Sequence, residues 1–131
     1  MLEPRGELVL RTLAMPADTN PNGDIFGGWL LSQMDIAGGM AAKLRSHSRV
    51  STVAIESMSF HQPVKVGDVV CCYAEFMHIG TTSMRIKLEV WIMKMPMDQQ
   101  RVKVTEGIFT YVAIDGDGNS HPVDRAETSE G

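Results

Sequence analysis

Hydrophobic residues between positions 27 and 46 follow the spacing of an α-helix. Leu30, Met34, Ala37, Ala41 and Leu44 are separated by 4, 3, 4 and 3 residues, so they lie along one side of a helix. The stripe beside them is apolar or small apart from one carboxylate, and consists of Leu31, Asp35, Gly38, Gly39 and Ala42. A helix that is apolar nearly all round is buried on most sides, so we predict that this one is the centre of the domain.

The two glycines inside the predicted helix indicate a close packing contact. Glycine in a helix interior costs about 1 kcal/mol relative to alanine. We therefore expect another part of the molecule to pack closely against Gly38 and Gly39.

The rest of the chain alternates between apolar and polar residues with a period of two, which is typical of β-strands. The pattern predicts strands over residues 7–14, 50–58, 69–78, 84–92 and 101–114, with a bulge at Gly107. Turn-forming residues predict loops over 15–24, 63–68 and 95–100. One helix and several strands with short connections predict an α+β domain, in which an antiparallel sheet wraps around a long central α-helix.

Length and composition predict a single domain over residues 1–131, with a core at about 7–123 and a flexible tail at 124–131. The net charge of −4 argues against a nucleic-acid partner. Cys71 and Cys72 are adjacent on a predicted strand and point to opposite faces, so we expect reduced thiols and a cytoplasmic location. We expect no secretion signal and no membrane span, since glycines and polar residues interrupt the apolar stretch around the helix.

Asp35 is the only ionisable residue between Asp24 and Lys43. Gly27 and Gly28 precede it at the predicted helix start, where backbone N–H groups have no partner within the helix and can bind a developing negative charge. The rise of a helix places Asp35 about 10 Å beyond that start. From this separation we expect the carboxylate and the oxyanion donor to flank one small substrate, with negative charge developing on a carbonyl oxygen under attack.

Several separated segments together resemble a known family. They are residues 18–20 (Asp-Thr-Asn), 23–29 (Gly-Asp-Ile-Phe-Gly-Gly-Trp), 33–35 (Gln-Met-Asp), 53–60, 63–68 and 109–113. In this order they resemble the hotdog-fold acyl-CoA thioesterases, in the branch of the YciA-type enzymes and brain-type acyl-CoA hydrolases. The resemblance covers about residues 8–123, and it implies an acyl-CoA hydrolase that forms a free acid and coenzyme A, with a place in fatty acid metabolism and no need of a serine nucleophile.

The resemblance also implies roles for particular residues. Asp35 is implied as general base or nucleophile, and the amide of Gly28, with Gly27 beside it, as the group that polarises the thioester carbonyl. Asn20 is implied to meet the aspartate of a partner subunit, in a homodimer whose sheets join edge to edge and which can assemble into a hexamer, a trimer of dimers.

The coenzyme A nucleotide is implied to lie over the turn formed by Gly80, Thr81, Thr82 and Ser83. Arg85, on the polar face of its strand, is a further candidate for binding the nucleotide phosphates. Thioester hydrolysis needs a base or nucleophile and an oxyanion donor, so we expect neither a metal nor a cofactor; coenzyme A is part of the substrate and the product. The four histidines show no spacing of metal ligands.

Two other functions are consistent with parts of the sequence. A hotdog dehydratase acting on a 3-hydroxyacyl thioester usually has a histidine beside its acidic residue, and residues 15–46 contain none. A non-catalytic protein that binds or senses acyl-CoA would bind the same ligand and release no thiol.

Overall fold

The computed structural model describes residues 3–93 and 101–124, which form one helix and five strands. The elements are β1 (Glu7–Leu13), a short 3-10 turn (Pro16–Asp18), α1 (Gly27–Ser46), β2 (Arg49–Phe60), β3 (Val69–Ile79), β4 (Ser83–Met93) and β5 (Arg101–Ile114). The helix and β5 have the predicted bounds, and the other strands differ from prediction by one or two residues at an end. The predicted loop at 95–100 and most of the predicted tail lie outside the described residues.

All strand pairs are antiparallel, and the order across the sheet is β1-β3-β4-β5-β2. The strands β3, β4 and β5 are neighbours in sequence and in the sheet, while β1 and β2 form its two edges. The helix packs on one face of this sheet and contacts every strand. The prediction of an α+β fold with an antiparallel sheet around one long helix is confirmed.

Alternation along the strands divides the sheet into two faces. On the helix side, Ile86 and Leu88 of β4 are fully buried in one hydrophobic cluster with Met34 and Ala37 of α1. Cys72 belongs to this core, and burial raises the pKa of its thiol to about 12. The other face has a smaller cluster formed by Cys71, Tyr73 and Trp91. The two cysteines are free and lie on opposite faces, as predicted.

One side of the helix is not covered by the sheet. Leu44 belongs to the stripe predicted to be buried, yet it is 74% exposed, and Ile36 and Met40 are also exposed. The expectation that α1 is buried on most sides is therefore wrong for a single chain, because the sheet packs against one side of the helix. Val53 and Ile55 of the edge strand β2 are exposed as well.

The predicted bulge lies in β2 and not at Gly107. Residues 57 and 58 of β2 lie opposite Gly107 alone, and Ser57 has a left-handed backbone with φ of 56°. Gly107 keeps a regular pair with Leu88, and a Cβ atom on it would lie 2.2 Å from Sδ of Met58. The glycine therefore makes room for the methionine of the bulge.

The outer face of the sheet carries a buried carboxylate among cations. Glu89 is 2% exposed, and its Oε1 accepts hydrogen bonds from Nε1 of Trp91 at 2.9 Å and from the amide of Arg5 at 3.2 Å. Its Oε2 lies 3.7 Å from Nζ of Lys87 and 3.6 Å from Nζ of Lys103. Opposite charges and hydrogen bonds together compensate for the burial of this charge.

Replacing Glu89 is expected to cost far more stability than replacing a neighbouring surface carboxylate. Glu89→Ala leaves the Trp91 N–H unpaired and leaves Lys87 and Lys103 with Glu106 as their one remaining described carboxylate, so we expect a loss of about 2–3 kcal/mol in the free energy of unfolding. Glu75, on the same face, has an ion pair of 3.2 Å with the exposed Arg5, and Glu75→Ala is expected to cost under about 1 kcal/mol. Urea denaturation of both variants measures the difference, and equal losses would contradict it.

Candidate active site

Two side chains from neighbouring strands hold one oxygen of Asp35. The hydroxyl of Tyr111 in β5 donates to Oδ1 at 2.9 Å, and the hydroxyl of Thr52 in β2 donates to the same oxygen at 2.8 Å. Tyr111 and Thr52 are directly opposite in the β2–β5 register, so both point to the helix side of the sheet. Within residues 3–93 and 101–124, Oδ2 has no hydrogen-bond partner, and it is the oxygen left to act on a ligand.

Tyr111 lies deep in the core although its hydroxyl reaches the site. The residue is 1% exposed and stacks on Phe109, with 6.4 Å between the ring centroids. Its hydroxyl also lies 3.1 Å from the backbone carbonyl oxygen of Asp35. The pKa of Tyr111 is raised well above its usual range. Burial is the larger cause, and the negative charge of the nearby Asp35 carboxylate is the second. The phenol therefore remains a hydrogen-bond donor at any ordinary pH.

Gly38 is the position at which Tyr111 meets the helix. A Cβ atom on Gly38 would lie 2.2 Å from the Tyr111 hydroxyl oxygen and 2.8 Å from two ring carbons. A Cβ atom on Gly39 would lie 3.9 Å from the ring, which is an ordinary contact. The expected close packing is therefore confirmed at Gly38, whereas no contact of this kind requires a glycine at position 39.

The start of α1 presents unpaired amides to open space. The residue before the helix is Phe26, whose side chain provides no cap, and the first turn has no acidic residue. In the described part of the chain, the amides of Gly27 and Gly28 have no hydrogen-bond acceptor. A Cβ atom on either glycine would meet nothing within 4 Å. Packing within this chain thus does not require these two glycines, and their amides are free to bind an anionic group.

Asn20 organises the loop before the helix. Its Oδ1 accepts hydrogen bonds from the amides of Asn22 at 2.9 Å and Asp24 at 3.1 Å, while its own amide donates to the carbonyl of Asp24 at 2.7 Å. Among the residues that the structure describes, no partner is bound to its Nδ2 and no hydrogen bond joins it to Asp35. Asn20 is therefore a turn-forming residue within this chain, and the N–H groups of its side-chain Nδ2 are available to another group.

The turn between β3 and β4 is fixed by backbone hydrogen bonds. The amide of Gly80 donates to the carbonyl of Ser83 at 2.8 Å, and the carbonyls of Thr81 and Thr82 accept from Val123 and Ala113. Ser83 pairs with Val112, so this turn lies one position along β5 from Tyr111.

Arg85, the remaining predicted binding residue, forms an ion pair with Glu56 of β2. This pair offsets the charge of the guanidinium group on the outer face of the sheet.

Sequence reasoning missed Tyr111 and Thr52. Tyr111 lies in a segment that carried the family resemblance, but nothing in the sequence indicated which residue it contacts. Gly38 gave the one usable signal, because a glycine inside a helix predicts a close neighbour without naming it.

Within residues 3–93 and 101–124, no group of three His, Cys, Asp or Glu side chains is placed to hold a metal ion. In the same part of the chain, no helix has the length and hydrophobicity needed to cross a membrane.

Comparison with known proteins shows that nearly the whole chain is similar to thioesterases. The profile of the thioesterase superfamily matches residues 22–96. The chain is 61% identical to the acyl-CoA thioester hydrolase YciA of Salmonella typhimurium, over 92% of each sequence. In structure it resembles the hexameric thioesterase y2039 from Yersinia pestis, with a TM-score of 0.89 and 55% identity over 95% of this chain and 100% of that one.

A second solved structure gives the same result. HI0827 is described as a hexameric broad specificity acyl-coenzyme A thioesterase, and it matches with a TM-score of 0.88 and 50% identity over 98% of this chain and 88% of that one.

The raised pKa of Tyr111 predicts a loss of stability in alkali. Folded protein keeps a phenolic proton that the unfolded chain releases above about pH 10, so the free energy of unfolding falls as the pH rises past 10, by up to about 1.4 kcal/mol per pH unit. Tyr111→Phe lacks this titration and is expected to show a shallower decline. Urea unfolding of both proteins from about pH 8 to about pH 11 measures the two slopes, and parallel curves would show that Tyr111 keeps an ordinary pKa.

Proposed function

This chain belongs to the thioesterase superfamily, and we propose that it uses Asp35 to hydrolyse acyl-CoA. As an acyl-CoA thioester hydrolase, it converts its substrate to a free carboxylic acid and coenzyme A. The observation that carries the proposed role of Asp35 is the carboxylate itself, which lies in an apolar helix with Oδ1 held by two hydroxyl groups and Oδ2 unbound by any described residue.

The proposed chemistry requires only a carboxylate, water and hydrogen-bond donors. Oδ2 of Asp35 either removes a proton from the attacking water or attacks the thioester carbon itself and is released by water in a second step. In both routes a C–O bond forms and the C–S bond breaks. The sulfur leaves as a thiolate and becomes the thiol of coenzyme A by taking up a proton that the attacking water gives up. The negative charge that develops on the carbonyl oxygen is placed at the amides of Gly28 and Gly27, and no cofactor takes part.

We infer that each site is built from two chains. Gly28 and Asp35 are seven residues apart on one helix, a distance of about 10 Å along its axis. A reacting carbonyl is contacted at about 3 Å by both the base and the oxyanion donor, so the two groups must lie closer together than that. We therefore replace the expectation that both groups come from one helix. Asp35 of one chain therefore acts with Gly28 and Asn20 of its partner.

Exposed apolar residues support a homodimer joined at β2. This edge strand carries exposed Val53 and Ile55, and the side of α1 turned away from the sheet carries exposed Ile36, Met40 and Leu44. Continuing the sheet through β2 pairs its open edge and allows the two helices to cover each other's apolar side. Both compared structures are described as hexameric, and a hexamer made of three such dimers is our proposal for this protein.

The coenzyme A part of the substrate is proposed to lie over the turn from Gly80 to Ser83. Backbone hydrogen bonds fix this turn next to the end of β5, which places it near the strand that carries Tyr111. Arg85 is a candidate for binding the nucleotide phosphates, although a phosphate would have to compete with Glu56 for its guanidinium group. We also propose a cytoplasmic location, since Cys71 and Cys72 are buried free thiols.

Asp35→Ala is expected to slow thiol release steeply without unfolding the protein. We expect kcat for a panel of short and long acyl-CoAs to fall by about 10³-fold or more, at about 1.4 kcal/mol of barrier per tenfold. Asp117→Ala, which removes an exposed carboxylate in a turn, is the matched control and should keep full activity. Circular dichroism and gel filtration check the fold and assembly of both variants.

The outcomes separate the candidate functions. Unchanged activity in folded Asp35→Ala would remove Asp35 from the reaction. A wild-type protein that binds acyl-CoA and releases no thiol would instead support an acyl-CoA sensor.

Mixed subunits test whether the site is shared. Asp35→Ala and Asn20→Ala chains, co-expressed with different tags, form mixed dimers in which one site has both mutations and the other has none. If Asp35 acts with Asn20 of the partner, mixed dimers should regain about half the activity of wild type, while each variant alone stays inactive. Absence of any gain in purified mixed dimers would place both residues of a site in one chain.

A further inference from the structure

We propose that Tyr111 and Thr52 are positioning residues for Asp35, and that Gly38 is the residue whose missing side chain lets Tyr111 reach it. The inference rests on the proposed role of Asp35 in hydrolysis. It starts from the observation that both hydroxyl groups donate to the same carboxylate oxygen, at 2.9 and 2.8 Å.

Two donors on one oxygen fix the orientation of the carboxylate. A carboxylate on a short side chain can otherwise turn about its last bond and exchange its two oxygens. Here Oδ1 is bound from β5 and from β2, so turning would break two hydrogen bonds to a charged group. Oδ2 is thereby held as the reacting oxygen, in the orientation that attack on a carbonyl or on water requires.

The two donors have different surroundings. Tyr111 is buried, its pKa is raised by burial and by Asp35, and its ring is held by packing on Phe109, so it is a rigid donor that stays protonated. Thr52 is exposed on the open edge strand β2. The strand proposed to join the partner chain therefore also carries one of the groups that orient the carboxylate.

Gly38 makes the Tyr111 contact possible. It lies three residues after Asp35, on the neighbouring turn of α1, and a Cβ atom there would overlap the Tyr111 hydroxyl at 2.2 Å. The Tyr111 ring is buried, stacked on Phe109 and hydrogen-bonded to Asp35. Because it has little room to shift, either the ring or the helix has to move if a methyl group is added at Gly38. Gly39 offers a matched control, since a Cβ atom on it would lie 3.9 Å from the same ring.

Five single variants test the proposal through kcat and KM for one acyl-CoA. Tyr111→Phe and Thr52→Val each remove one hydrogen bond and are expected to lower kcat by about 10- to 100-fold with little change in KM. Thr52→Ser keeps the hydroxyl and should retain much more activity than Thr52→Val. Gly38→Ala should lower kcat as Tyr111→Phe does, while Gly39→Ala should keep the wild-type value.

A double variant distinguishes positioning from general support of the fold. If Tyr111 acts through Asp35, adding Tyr111→Phe to Asp35→Ala should leave the residual rate unchanged. A further fall in that rate would overturn the proposal, and so would wild-type kcat in Tyr111→Phe or equal losses in Thr52→Ser and Thr52→Val. If Gly38→Ala fails to fold, the nearly isosteric Tyr111→Phe still decides the matter.

The two proposals fail in different ways. Wild-type activity in Asp35→Ala removes the proposed role of Asp35. An inactive Asp35→Ala together with a fully active Tyr111→Phe removes only the positioning role.

Discussion

The close approach of Tyr111 to the backbone of α1 at Gly38 is the contact on which the site depends. It brings a buried phenol within hydrogen-bond distance of both the carboxylate and the carbonyl oxygen of Asp35. A glycine is required there because any side chain would occupy the place of the hydroxyl. The same contact sets how near the helix lies to β5, so the packing of the core and the geometry of the carboxylate are determined together.

The two faces of the sheet are stabilised in different ways. The helix side is packed with apolar side chains, among which Asp35 lies at the edge near β2 and is compensated by hydroxyl donors. On the outer face, the buried Glu89 is compensated by Lys87, Lys103 and the Trp91 N–H. Strict alternation in β4 produces both faces, because successive side chains point to opposite sides of a strand.

A single chain leaves apolar surface exposed, and we propose that it holds only part of its site. The unpaired amides at Gly27 and Gly28 and the carboxylate of Asp35 belong to one helix and are about 10 Å apart along its axis, which we propose is too far for both to act on one carbonyl group. Exposed apolar residues occur on β2, as at Val53, and on the side of α1 that the sheet leaves uncovered, as at Leu44. An assembly that continues the sheet through β2 would cover this surface, and our proposal is that it also completes the site.

The sequence by itself determined the elements and the candidate residues. The spacing of apolar residues located α1 at about residues 27–46, because helical and strand periods are local properties of the chain. Asp35 stood out as the only charge in an apolar helix, and Gly38 as a sign of close packing. The strand order, the bulge at Ser57 and the partners of Asp35 depended on the tertiary structure. Tyr111 lies 76 residues from Asp35 along the chain, and only the pairing of β5 with β2 beneath the helix brings both donors to one oxygen.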